Sequence, residues 1–143
     1  MNSKTDEEIA EINKKKIYRN GMSSRQEKQL VEMIRNVGMD IETQHIIKRQ
    51  DVKNKYYSYD ICHNNKIIEY NGDIWHANPA MYKEEDVPRF PSNKKTSAEI
   101  WSKDKLKIET AEEAGYSVLV IWESDFKSDK QRVIKECIDF LTT

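Results

Sequence analysis

Ile67-Ile68-Glu69-Tyr70-Asn71-Gly72-Asp73-Ile74-Trp75-His76 begins as an apolar strand and breaks at a glycine. From Glu69 to His76 it delivers carboxylates, an amide, a tryptophan and a histidine. A strand interior favours apolar and β-branched side chains, so acidic and imidazole groups gathered at its end point to a site built on a rigid element. The preceding run, Tyr56-Tyr57-Ser58-Tyr59-Asp60-Ile61-Cys62, also reads as a strand and carries a further carboxylate, Asp60. His63-Asn64-Asn65-Lys66 between them is a turn signal, which makes the two runs a β-hairpin. The hairpin would bring Asp60 near Glu69 and Tyr70. That is a place for a hard divalent cation, since Mg²⁺ takes oxygen ligands and usually needs only one or two carboxylates.

Outward from the hairpin, the pattern predicts a helix from about Ser24 to Asn36, with Leu30, Val31, Ile34 and Val37 on one face and Gly38 ending it. Residues 40–48 alternate loosely, as a strand would. After the hairpin a proline-punctuated loop runs from Pro79 to Asn93. A second helix is expected from about Ser97 to Ala114, closed by Gly115. Ser117-Val118-Leu119-Val120-Ile121-Trp122 is apolar enough to be a strand buried on both faces. A last helix is expected over about 128–141. The order αβββαβα predicts an α/β (α+β) fold, a mixed β-sheet flanked by helices. Residues 1–22 are charged and polar, with a short helical pattern around Ile9, Ile12 and Ile17, and read as an N-terminal arm or linker before a single domain at 23–143.

At 143 residues the chain can bury a real core. Lysine and arginine number 24 against 25 aspartates and glutamates, a net charge of −1, so any surface that attracts nucleic acid must be local. The two cysteines, Cys62 and Cys137, have no CxxC partners, which argues against a disulfide scaffold or a cysteine-rich zinc site. No apolar run approaches the length of a membrane span, and the polar N-terminus has no signal-peptide core. A soluble cytoplasmic protein is expected.

Four positions admit two readings. Ser24-Arg25-Gln26-Glu27 is a capping box, in which Glu27 reaches back to the start of its helix; Glu27 also shares the inner side of that helix with Leu30 and Ile34. Asp104 falls on the inner face of the second helix, where an aspartate is costly to bury without a partner. It lies either at a solvated edge or in a site. Asp60, flanked by Tyr59 and Ile61, needs a cation or several donors. His76 follows the acidic strand directly, whereas His45 and His63 read as structural residues of a strand face and a turn.

Asp60, a hairpin and an apolar strand ending in Glu69-Tyr70-Asn71 resemble the D…(D/E)-x-K core of restriction-endonuclease-like nucleases, with Asn71 at the lysine position. Gly72-Asp73-Ile74-Trp75-His76 resembles the G-x-x-W-H segment of very-short-patch-repair (Vsr-type) endonucleases. Trp101-(x)2-Asp104 and Gly115-Tyr116-Ser117-Val118-Leu119-Val120-Ile121-Trp122-Glu123 are similar to later segments of the same family. The likeness covers about residues 23–125. The set Glu27, Asp60, His76 and Asp104 is similar to that of the Vsr-like catalytic domain of phage homing endonucleases.

The resemblance implies a restriction-endonuclease-like fold and a Mg²⁺-dependent (or Mn²⁺-dependent) endonuclease acting on double-stranded DNA. Asp60 would bind the metal with help from Glu69 or the Tyr70 carbonyl. His76 would take a proton from the attacking water, Asp104 would orient it, and Glu27 would hold a metal-bound water. Trp75, Asn71, Asn78, Lys94, Lys95 and Lys103 would contact DNA. A solvated face is the plainer reading of the lysines. Vsr repair enzymes hold a structural zinc beside the W-H segment, where this chain has Ala77-Asn78-Pro79-Ala80-Met81, so no zinc is expected. Ile74 stands where the family has a second wedge aromatic, which favours the homing branch, acting in the cytoplasm of a bacterial host, over mismatch repair. A repair or restriction nicking enzyme and a non-catalytic DNA-binding member of the fold are the alternatives. The oligomeric state is open between monomer and homodimer.

Overall fold

The computed structural model describes residues 24–143; the arm assigned to 1–22 lies outside them. Helix α1 (Arg25–Asn36) starts where the Ser24 hydroxyl accepts a hydrogen bond from the Glu27 backbone N–H at 3.0 Å, and it buries Leu30 and Ile34. Strands β1 (Glu42–Lys48), β2 (Tyr56–His63) and β3 (Lys66–Asn71) form an antiparallel meander. Helix α2 (Ser97–Glu113) opens on a complete capping box, with Thr96 and Glu99 bonding each other's backbone N–H. It returns the chain to β4 (Ser117–Trp122), which pairs with β3 in parallel. Helices α3 (Glu123–Ser128) and α4 (Lys130–Leu141) close the chain. Sheet order is β1-β2-β3-β4, a mixed four-stranded sheet flanked by helices, as the sequence order predicted.

The sheet separates two apolar clusters. On one face α1, α3 and α4 bring Leu30, Ile34, Phe126, Val133, Ile134, Cys137 and Leu141 against Ile61, Ile68, Tyr70 and Ile121. On the other, Ala111 of α2 meets Tyr59, Cys62 and Ile67. Burying this surface is what makes each amphipathic helix stable in place.

Two expectations are corrected. The apolar run at 117–122, expected to be buried on both faces, forms the strand at one edge of the sheet, and only Ile121 is buried. The strand buried along nearly its whole length is β3, which has neighbours on both sides. The expected single helix at 128–141 is two helices that meet at Asp129. Its extended backbone (φ −153°, ψ 87°) ends α3, and its carboxylate accepts from the Arg132 N–H at 3.1 Å to start α4. Among the described residues no helix is long and apolar enough to cross a membrane.

Candidate active site

The hairpin is regular only near its turn. Residues 61–63 pair with 66–68, and beyond Ile61 the two strands part. Where the ladder fails, side chains replace it. The Tyr70 N–H donates to Asp60 Oδ2 at 2.8 Å, and the Asp60 N–H donates to Glu69 Oε1 at 2.7 Å. Backbone donors shielded from water need an acceptor, and these two carboxylates supply it. Asp60 therefore sits where β2 and β3 diverge. The geometry brings together Asp60, Glu69 and Tyr70, as the hairpin predicted.

The second oxygen of Glu69 meets the Lys107 ammonium at 2.7 Å. Lys107 comes from α2; its ammonium lies 5.0 Å from the centre of the Tyr59 ring, and its carbonyl accepts from the Tyr59 hydroxyl at 2.7 Å. Burial alone would lower the Lys107 pKa, but the charges of Glu69 and Asp60 outweigh it and raise it. The Asp60 pKa is raised too, which for a carboxylate disfavours the charged form. Burial, then the like charges of Glu69 and Glu27, lift it well above the usual range, against the pull of Lys107 and the Tyr70 N–H. Of the capping box expected at Glu27 the structure shows one half, the Glu27 N–H donating to the Ser24 hydroxyl, while the Glu27 charge acts on Asp60.

Among the described residues no three His, Cys, Asp or Glu side chains are grouped to hold a metal by themselves. What the diverging strands offer is one partly buried carboxylate, Asp60, made unfavourable by two others. That donor set fits a hard cation held by one or two carboxylates and completed by water and phosphate oxygens.

His76 is placed by the turns after β3. Its N–H donates to the Gly72 carbonyl at 3.1 Å, and the next residue, Ala77, has φ 50°. The Trp101 indole on α2 donates to the Ala77 carbonyl at 2.6 Å, which ties this turn to the helix. His76 Nδ1 then lies 2.9 Å from Asp104 Oδ2, with both side chains partly exposed. Asp104 and Lys107 are three apart and so share one face of α2.

Sequence reasoning missed the brace beneath this turn. Asp73 is buried, accepts from the Asn78 amide at 2.9 Å and from the Ser124 hydroxyl at 3.3 Å, and donates its own N–H to Glu123 at 3.1 Å. Asn78, expected to meet DNA, is buried, and its amide is spent on Asp73, Ser124 and the Ala80 N–H. Asn71 is likewise buried in β3. The only signal for the brace was a buried-type carboxylate next to a glycine, with its partner some 50 residues away.

Beside His76 lies a cleft of about 480 Å³. Trp75, 57% exposed, packs its ring 4.5 Å from that of Phe90 along one wall. Lys94, Lys95 and Lys103 line it together with His76 and Asp104. The charge of Lys95, and then burial, lowers the Lys103 pKa, so two ammonium groups crowd this wall. Compared with protein-family models, curated proteins and solved structures, the chain finds no match.

Proposed function

We propose that the protein is a metal-dependent endodeoxyribonuclease that hydrolyses phosphodiester bonds of double-stranded DNA. One observation carries this reading. A single face of α2 joins two acid–base groupings: Asp104 holds His76, and Lys107 one turn later holds Glu69, which itself bonds Asp60. Asp60 is the metal-binding carboxylate, with Glu69 and the Tyr70 carbonyl beside it and Glu27 approaching from α1. Bound Mg²⁺ or Mn²⁺ would neutralise phosphate charge and polarise the attacked group.

The remaining work belongs to this chain's own side chains. The His76 Nδ1–H donates to Asp104, which fixes the tautomer with Nε2 unprotonated. Nε2 makes no hydrogen bond among the described residues, so it can take the proton of an attacking water. Lys94, Lys95 and Lys103 offer phosphate contacts on the cleft wall, and the exposed Trp75 offers a face for a base. The similarity to phage homing endonucleases supports that branch, acting in the cytoplasm of a bacterial host.

One observation favours a second reading, a non-catalytic DNA-binding member of the fold: Asp60 and Glu69 already serve as acceptors that brace diverging strands. Supercoiled-plasmid cleavage in Mg²⁺ against EDTA decides between them. Nicking or linearisation that needs the metal and is lost in Asp60→Asn supports the nuclease. DNA binding without metal-dependent cleavage overturns it.

A further inference from the structure

Gln44 stands out in the sheet next to this site. It lies inside β1 with φ 55°, in the left-handed region that residues with a side chain rarely adopt. Pairing with β2 is regular on either side, Thr43 with Ile61 and His45 with Tyr59, and the skipped position is Gln44 opposite Asp60. Glycine would take this backbone at no steric cost, yet the chain keeps a long amide there. Irregular strand positions next to active sites commonly re-aim a side chain, and backbone strain held in place by its surroundings is a pointer to function.

The amide has a set direction. Its Oε1 accepts from the Ser58 hydroxyl at 2.8 Å, and its NH₂ makes no hydrogen bond among the described residues. Gln44 also lines a groove of about 480 Å³ between α1 and β1, together with Glu27, Lys28 and Arg35. Glu27 is the residue of α1 whose charge acts on Asp60. Lys28 and Arg35 share this groove with Glu27 and Glu32, and on its wall Gln44, opposite Asp60 in the ladder, presents two unpartnered N–H donors.

We infer that Gln44 is a substrate-positioning residue, its NH₂ holding a phosphate oxygen of a DNA strand that lies in the groove between α1 and β1. The inference rests on the nuclease reading and adds to the lysine-lined cleft a second substrate contact, on β1 opposite Asp60.

The test uses Gln44→Gly, Gln44→Ala and Gln44→Glu in the full chain. Binding of a fluorescent random-sequence DNA duplex is measured in Ca²⁺, with thermal melts and Mg²⁺-dependent plasmid nicking alongside. Glycine relieves the backbone and alanine does not, so the glycine variant should melt above the alanine variant. Both lose the donor, so both should bind duplex about tenfold more weakly than wild type, the effect of one hydrogen bond to a charged group. The glutamate keeps the length and the acceptor but cannot donate, and should bind more weakly still. Wild-type affinity in the glycine variant alone would show that the position only shapes the strand. Wild-type affinity in all three would remove Gln44 from the DNA path. In both cases active wild-type protein leaves the nuclease reading standing. Wild-type protein that neither binds duplex nor nicks plasmid overturns both.

Discussion

Two histidines of this protein sit beside carboxylates in nearly the same way. His45 Nδ1 is 3.0 Å from Glu42, and His76 Nδ1 is 2.9 Å from Asp104. They differ at the other nitrogen. His45 Nε2 is closed by the Tyr116 hydroxyl at 3.0 Å, whereas His76 lines the cleft beside Trp75 and the lysines and its Nε2 makes no hydrogen bond among the described residues. An imidazole with both nitrogens spent is a strut; one with a fixed tautomer and a free lone pair can move a proton. The carboxylate alone does not make the site.

Five outcomes would break or sharpen that contrast. The largest effect is expected at Asp60. Asp60→Asn should lose metal-dependent plasmid cleavage entirely and yet be the more stable protein in EDTA. The sign follows from linkage: the folded pKa of Asp60 lies above its unfolded value, so the folded state binds the proton more tightly. The stability this confers is present below the unfolded carboxylate pKa and is lost as pH rises through the folded one. Asparagine cannot ionise, so its advantage in thermal melts should grow from acid toward neutral pH. A wild type that gains stability over that range relative to Asp60→Asn would show that Asp60 is well satisfied by its protein partners, and no cation would be needed.

Next come the histidine pairs. His76→Ala and Asp104→Ala should each slow cleavage on the order of 10²-fold or more, and the double variant should be little worse, because residues acting as a unit are not additive. His45→Ala should cleave within about twofold of wild type, as expected for a residue outside the reacting groups. Multiplicative losses in the His76/Asp104 double variant, or a large loss in His45→Ala, would erase the distinction between strut and base.

Stability effects are smaller and run the other way. Lys107→Met leaves buried Glu69 without its ammonium partner and should cost about 1–3 kcal/mol, read by urea denaturation. Tyr116→Phe removes only the closing hydroxyl of His45 and should cost about 1 kcal/mol with cleavage intact. Smallest is the response to zinc removal. Cys62 and Cys137 are buried thiols, pushed by burial up to about 11 and about 12, which disfavours the thiolate that zinc binds. Purified protein should hold no stoichiometric zinc by elemental analysis, and its Tm should not fall in chelator.

Much of the architecture is local chemistry, and local chemistry is legible in a sequence. The 3.6-residue spacing of Leu30 and Ile34, the Ser24 cap of α1, and the turn between Cys62 and Ile67 announce their elements because each is satisfied within a few residues. The hairpin alone places Asp60 beside Glu69 and Tyr70. Asp129 escaped notice because an aspartate that ends one helix and caps the next looks like any polar residue within a helical pattern. The apolar run of β4 reads as buried on both faces, yet at the edge of the sheet only Ile121 is fully covered, because burial depends on neighbours the run itself does not name.

Chain order and periodicity by themselves determined a mixed sheet with helices on both faces and a carboxylate pair at one hairpin. Only the tertiary structure decided which groups are committed and which are open. Lys107 reaches Glu69 across 38 residues, Tyr116 closes His45 across 71, and Asp104 meets His76 across 28 while leaving one nitrogen unspent. Such pairings depend on how α2 lies against the sheet. That position is set by summed burial over the whole interface, which no short stretch of residues encodes.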